Sequence, residues 1–189
     1  MIRIGILGDI GSGKSFVAQN FGYPVFNADQ EVAKLYQKDK KIFNKLKKKL
    51  PKYIHSFPVQ KKEILNAILS NKNNLIKIVK IVHLEIRRKM NIFLKKYKKS
   101  KIVILDIPLL LENKINNKED ILVYVQSNKS KVLERLKKRK NFNKILLDKF
   151  KSIQLSSDYK KRKSDYIIKN NFTKKSVKNA IESILGKVR

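Results

Sequence analysis

Eight residues near the N-terminus, Gly8-Asp9-Ile10-Gly11-Ser12-Gly13-Lys14-Ser15, have the types and spacing of an anion cradle. The run Gly-x4-Gly-Lys-Ser is the full Walker A pattern. The glycines let the backbone curl so tightly that successive N–H groups point at phosphate oxygens. A helix that follows adds its N-terminal dipole to the same anion. Lys14 brings a positive charge for the β- and γ-phosphates, and Ser15 brings a hydroxyl for Mg²⁺. Gly8, Gly11, Ser12, Gly13, Lys14, Ser15 and Phe16 are the candidate nucleotide-binding set. Asp9 is the discordant member. Pointing outward, its charge costs little; pointing inward, it weakens phosphate binding.

A cradle of this kind works only between a strand and a helix, and the flanks supply both. Residues 2–7 are a short apolar run, and 15–21 have helical character with Gly22 as the C-cap. Pro24-Val25-Phe26 reads as a second strand ending at Asn27-Ala28-Asp29. The order strand, loop, helix, strand predicts a parallel α/β sheet. From Gln30 to about Lys99 the apolar residues recur at helical spacing: Ile42, Leu46, Leu50; Ile64, Leu65, Ile68, Leu69; Ile78, Ile81, Val82, Ile86. So much helix between the second and third strands suggests an inserted helical subdomain. Ile102 to Leu105 form a buried-strand run ending in Asp106, Ile121 to Val125 form another, and Tyr166-Ile167-Ile168 is the last. Between them, Ser130 to about Lys163 reads as a basic helical stretch centred on Asn141-Phe142-Asn143. Ser176 to Leu185 reads as a closing helix.

The 189 residues suit one α/β domain. The chain lacks cysteine, so disulfides and thiolate chemistry are excluded, in keeping with a cytoplasmic protein. His55 and His83 alone cannot form a multi-histidine metal site. No apolar run reaches the ~20 residues of a membrane span, and the N-terminus lacks the features of a signal peptide. The net charge is +31, which raises nucleic acid as a partner, but 39 of the 46 basic residues are lysines scattered along the chain. Base-edge and phosphate-fork recognition favours arginine. The reading is therefore a solvated basic surface with no specific nucleic-acid partner and no membrane partner.

At this point the sequence resembles the dephospho-coenzyme A kinases. The resemblance rests on the glycine loop, Asn27-Ala28-Asp29, His83 with Arg87, Asp106-Ile107-Pro108-Leu109-Leu110-Leu111-Glu112, and the basic stretch up to Asp165. It runs from residue 2 to about 185, and Asp-x-Pro-Leu-Leu-x-Glu is its most specific part. It implies a three-layer P-loop kinase fold on a five-stranded parallel sheet, with a helical coenzyme-binding insertion over about 30–99 and a helical lid over about 135–163. It also implies transfer of the ATP γ-phosphoryl group, with Mg²⁺, to the ribose 3′-hydroxyl of dephospho-coenzyme A, by a monomer or weak homo-oligomer.

By the same resemblance Asp29 accepts or orients the proton of the acceptor hydroxyl, although an N-cap for a helix starting at Gln30 would also use an aspartate there. Asp106 and Ser15 serve Mg²⁺, and Asp106 also lies toward the acceptor. His83 and Arg87, at i and i+4, contribute to acceptor binding; alone, His83 would read as a packed or surface histidine. Arg139 corresponds to a lid arginine that reaches developing charge, one turn beyond Arg135. Asn170 either touches the adenine or ends the last strand. Glu112 is expected to cap or pair locally. The departures from the family are Asp9 for glycine, Phe16 for threonine, Asn27 for aspartate, Leu84 for proline and Leu111 for phenylalanine. The alternatives are a P-loop kinase for another small acceptor such as a nucleoside monophosphate, a nucleic-acid-binding protein, and a nucleotide switch.

Overall fold

The computed structural model describes residues 1–139 and 142–188. Five strands form where apolar runs were expected: β1 (Ile2–Gly8), β2 (Val25–Asn27), β3 (Ile102–Asp106), β4 (Ile121–Gln126) and β5 (Tyr166–Lys169). All pair in parallel, in the order β2-β3-β1-β4-β5. β1, β3 and β4 are buried along most of their length, as strands covered on both faces must be. The short β2 and β5 take the edges. β1 is the switch point, with β3 on one side and β4 on the other, so its C-terminal end opens where ligands of such sheets bind.

The chain divides into two compact units. The first comprises Met1–Asn27, Leu94–Phe142 and Gln154–Arg189. It holds the sheet with α1 (Lys14–Asn20), α6 (Lys129–Lys137), α8 (Ser157–Arg162) and α9 (Lys174–Val188). Its core joins Ile4, Ile6, Ile104, Val123 and Ile168 of the strands to Val17 and Ala18 of α1 and Val177, Ile181 and Ile184 of α9. α1 has Phe21 as its C-cap, where the sequence suggested Gly22, and Gly22 follows with φ +74°.

The second unit comprises Ala28–Phe93 and Asn143–Ile153. It contains α2 (Ala28–Lys38), α3 (Lys40–Lys49), α4 (Lys61–Ser70), most of α5 (Lys72–Lys96), and α7 (Lys144–Lys151). Most residues read from the 3–4 spacing are buried: Ile42 and Leu46 of α3, Leu50 after it, Ile64 and Ile68 of α4, Ile78, Val82 and Ile86 of α5, while Leu65, Leu69 and Ile81 are half-buried. Local polar chemistry sets the breaks. Asp39 caps α3 by accepting from the Ile42 amide at 3.0 Å. Gln60 and Glu63 form a capping box for α4. Asn74 of α5, almost fully buried, donates to the Ala67 carbonyl of α4 at 3.0 Å.

Two further sequence expectations change. The basic stretch from Ser130 is three helices, because Asn143 caps α7 at the Leu146 amide and Ser156 caps α8 at the Tyr159 amide. Its expected centre includes Asn141, which lies outside the described residues. In addition, α2 starts at Ala28, so Asp29 lies inside the first turn and is not the cap. No helix among the described residues is long and apolar enough to cross a membrane.

Candidate active site

The glycine loop leaves β1 at Gly8 and enters α1 at Lys14. Gly8 has φ +148°, and a Cβ there would lie 2.6 Å from Ser12 Oγ and 2.9 Å from the Val125 carbonyl oxygen. Gly13 has φ +91°, and a Cβ would collide with the Asn170 side-chain amide. Both positions therefore exclude side chains on conformation and on space. The loop is also pinned from outside. The Ser12 carbonyl accepts from Ser127 Oγ and from Asn170 Nδ2, each at 2.8 Å.

Asn170 directly follows β5. Its amide donates to the Gln126 carbonyl at 2.8 Å, continuing the β5 ladder. Its Oδ1 accepts from the Phe172 amide at 2.8 Å. Both polar atoms of the side chain are thus engaged within the protein. Phe172, in the left-handed region with φ +69°, carries the Arg135 guanidinium 4.3 Å from its ring centroid. Arg139 follows α6, its amide bonded to the Leu136 carbonyl, and its side chain is exposed.

Lys14 Nζ donates to the carbonyls of Gly8 and Asp9 at 3.1 and 2.9 Å, so the ammonium rests on the loop. Ser15 is exposed at the start of α1, while Phe16 packs against the core. Asp106 ends β3 and is almost fully buried. The parallel register sets Asn27 beside it, and Asn27 Nδ2 donates to Asp106 Oδ2 at 2.7 Å. The Ser15 hydroxyl bonds the same carboxylate. Burial pushes the Asp106 carboxyl above its usual range; the bond from Ser15, the Lys14 charge and the bond from Asn27 offset this only in part. An amide at position 27 is therefore suited to its place, since a second carboxylate would face Asp106 unpaired.

The Asp9 side chain is engaged by hydroxyls from β4 and α8: its Oδ2 accepts from Ser157 and Tyr124. Other residues of the Asp106–Glu112 motif are structural. Gly5 in β1 has no side chain, and a Cβ there would lie 2.6 Å from Leu110 Cδ2, so Leu110 packs directly on the central strand. Glu112 pairs at long range, where a local partner was expected. It forms a buried ion pair with Lys160 at 3.2 Å and accepts from the Leu155 amide at 3.0 Å.

In the helical unit, Asp29 is exposed in the first turn of α2. His83 and Arg87 lie one turn apart on α5. His83 Nε2 is buried and has no hydrogen-bond partner among the described residues. Burial and then the Arg87 charge hold the imidazole below its ordinary pKa, so it is neutral at pH 7. Arg87 itself is exposed. Sequence reasoning missed Tyr124, Ser127, Ser157 and Phe172 around the loop. Single hydroxyls and a lone phenylalanine carry no periodic or motif signal.

Five parallel strands in this order, with such a loop leaving the central one, make the fold that of the P-loop kinases. Two solved structures share the fold. A Thermus thermophilus protein superposes with a TM-score of 0.80 at 24% identity, covering 100% of this chain and 98% of that one. Dephospho-CoA kinase from Campylobacter jejuni gives 0.58 at 19% identity, covering 98% and 96%. Sequence comparison narrows the class: the dephospho-CoA kinase profile matches residues 2–176. The chain is also 34% identical over 187 residues to the dephospho-CoA kinase of Wolbachia pipientis, covering 96% of this chain and 95% of that one. The chain belongs to the dephospho-CoA kinase family.

Proposed function

We propose that this protein transfers the γ-phosphoryl group of ATP to the ribose 3′-hydroxyl of dephospho-coenzyme A, giving coenzyme A and ADP, the last step of coenzyme A biosynthesis. The observation that carries the reading is the grouping of Lys14, Ser15 and Asp106 where β1 and β3 end. It puts a cation, a hydroxyl and a carboxylate beside a loop of curled amides. In this reading residues 8–15 are a Walker A loop. Amides from Gly11 to Phe16 hold the phosphates, and Phe16 takes part through its backbone because its side chain serves the core. Lys14 exchanges its two carbonyl partners for the β- and γ-phosphates. Asn170 acts through Ser12.

Ser15 and Asp106 fit Mg²⁺, since a hydroxyl and a carboxylate are the hard oxygen donors that ion takes. When bound, Mg²⁺ neutralises charge on the β- and γ-phosphates. Asp29 accepts or orients the proton of the 3′-hydroxyl. Arg139 reaches the charge that develops on the transferring group, within a lid of about 135–163. His83 and Arg87 bind the acceptor, within an insertion of about 30–99 that receives the coenzyme. A neutral, unpaired imidazole nitrogen suits a hydrogen bond, and the Arg87 charge suits an anionic coenzyme. Most of the rate enhancement is positioning and charge stabilisation. We place the activity in the cytoplasm, in a monomer or weak homo-oligomer.

The test is a coupled ADP-release assay with dephospho-coenzyme A present, absent, or replaced by a nucleoside monophosphate. ADP release that depends on dephospho-coenzyme A is expected. Equal release in all three arms would overturn the acceptor while leaving nucleotide binding intact.

A further inference from the structure

Asp9 carries a negative charge beside a cradle built for anions, where the resemblance leads one to expect glycine. Conformation does not demand glycine there. The described non-glycine residues with positive φ are Leu109, Lys114 and Phe172, and Asp9 is not among them.

The residue is a junction. Its carbonyl accepts from Lys14 Nζ at 2.9 Å and from the Ser12 amide at 3.1 Å. Its carboxylate Oδ2 accepts from Ser157 Oγ at 2.7 Å and from the Tyr124 hydroxyl at 3.2 Å. Tyr124 lies in β4 opposite Leu7, one residue before the loop begins, and is almost fully buried. Burial first, and then the Asp9 charge, push the Tyr124 phenol up to about 12, so it remains a donor at neutral pH. Ser157 opens α8, and that helix is anchored by the buried Lys160–Glu112 pair. Lys161 of the same helix lies 5.9 Å from the Tyr124 ring centroid. The carboxylate is therefore engaged by two protein hydroxyls and tied at 2.7 Å to an element that is itself fixed. Hydrogen bonds to an ionised acceptor are about twice as strong as neutral ones.

We propose that Asp9 is a positioning residue: its carboxylate latches the glycine loop to Ser157 and Tyr124, and so holds the Asp9 peptide and the loop amides that follow it in the arrangement that receives the ATP phosphates. This rests on the reading of the loop as an ATP cradle. The opposing view treats Asp9 as a bare negative charge that weakens phosphate binding. The two differ in sign. The latch predicts that removing the side chain weakens ATP binding, and the bare charge predicts that it strengthens it.

The experiment titrates the full-length protein with a non-hydrolysable ATP analogue and Mg²⁺, without acceptor, and measures KM for ATP and kcat in parallel. Asp9→Ala should raise the analogue Kd and the KM about tenfold, the factor carried by one charge-assisted hydrogen bond, with kcat within about twofold. Asp9→Asn keeps an acceptor oxygen and should recover most of the loss. Ser157→Ala should weaken binding about threefold, and the double variant Asp9→Ala/Ser157→Ala should bind no more weakly than Asp9→Ala alone, because both break one latch. Unchanged or tighter binding in Asp9→Ala, or additive losses in the double variant, would overturn the proposal. If Asp9→Ala does not fold, Ser157→Ala and Tyr124→Phe carry the same test: weaker binding supports the latch and wild-type binding overturns it. The titration contains no acceptor, so it separates the two readings. A wild-type protein that binds the analogue but does not phosphorylate dephospho-coenzyme A loses the proposed reaction and not the latch.

Discussion

The glycine loop and the helical unit are held by contacts of different range. Ser12 is tied to Ser127 and Asn170, 115 and 158 positions away, and Asp9 to Tyr124 and Ser157, 115 and 148 positions away. In the helical unit Asp39 caps a residue 3 positions on, Glu63 accepts from amides 3 to 8 positions back, and Asn74 reaches back 7. The helices can take shape from their own stretch of chain. The loop acquires its geometry only when β1, β4, β5 and α8 have assembled, because closing long loops must precede the contacts that reward it. Substitutions around the loop should therefore read out in binding and turnover, and those in the helical unit chiefly in stability.

The largest expected effect is at the loop itself. Lys14→Ala should lower kcat/KM on the order of 10³-fold, as losing one preorganised stabiliser does, with an unchanged melting temperature. Full activity in steady-state kinetics would end the phosphate-cradle reading. Next comes the buried pair that anchors α8. Lys160→Ala leaves Glu112 buried without its cation and should cost about 3 kcal/mol in chemical denaturation. A cost near zero would mean that α8 is not anchored there.

Asp29 tests whether the helical unit contributes chemistry as well as stability. Asp29→Asn should cut kcat by about 10²-fold while the ATP-analogue Kd stays at the wild-type value. Wild-type turnover would remove Asp29 from the mechanism and sharpen the division between the two regions. Asn74→Ala should cost about 1 kcal/mol, since it removes a buried hydrogen bond to the Ala67 carbonyl, which keeps the Ser70 hydroxyl as a donor, and should leave KM for ATP unchanged. A shift in KM would show that the helical unit is coupled to nucleotide binding.

The smallest effect is a pH dependence. Burial, and then Arg87, hold folded His83 below the ordinary 6.5. As pH falls, the unfolded chain therefore takes up this proton before the folded one. The His83 contribution is complete above 6.5 and declines as pH falls below it. Melting temperatures above and below that value should differ less in His83→Gln than in the wild type. An identical pH profile in the variant would assign the dependence to other groups.

Much of the fold was legible in the residues. Ile102 to Leu105 and Ile121 to Val125 are apolar runs that only a doubly covered strand accommodates, and both are strands. The spacing of Ile64, Ile68, Ile78, Val82 and Ile86 marks the buried faces of α4 and α5. Helix ends were less legible. Asn143 and Ser156 divide a stretch that reads as continuous helix, since a cap is one residue with no period. The supports of the candidate site were least legible. Glu112 sits in a recognisable motif, but nothing near it in sequence points to Lys160.

The amino-acid sequence by itself determined the glycine loop, because Gly8 to Ser15 is local: the freedom of its glycines, the charge of Lys14 and the hydroxyl of Ser15 are properties of adjacent residues. It also determined the parallel sheet and the helical unit, whose apolar periods are local signals of burial. Only the tertiary structure decided the direction of Asp9. That choice depends on two hydroxyls brought to the loop from β4 and α8, and no local preference of an aspartate makes it. The register of β2 on β3 likewise turned Asn27 from a departure into a donor for Asp106. Charges and hydroxyls at long sequence separation acquire their roles from what the fold sets within hydrogen-bond reach, and that reach is a property of the assembled sheet.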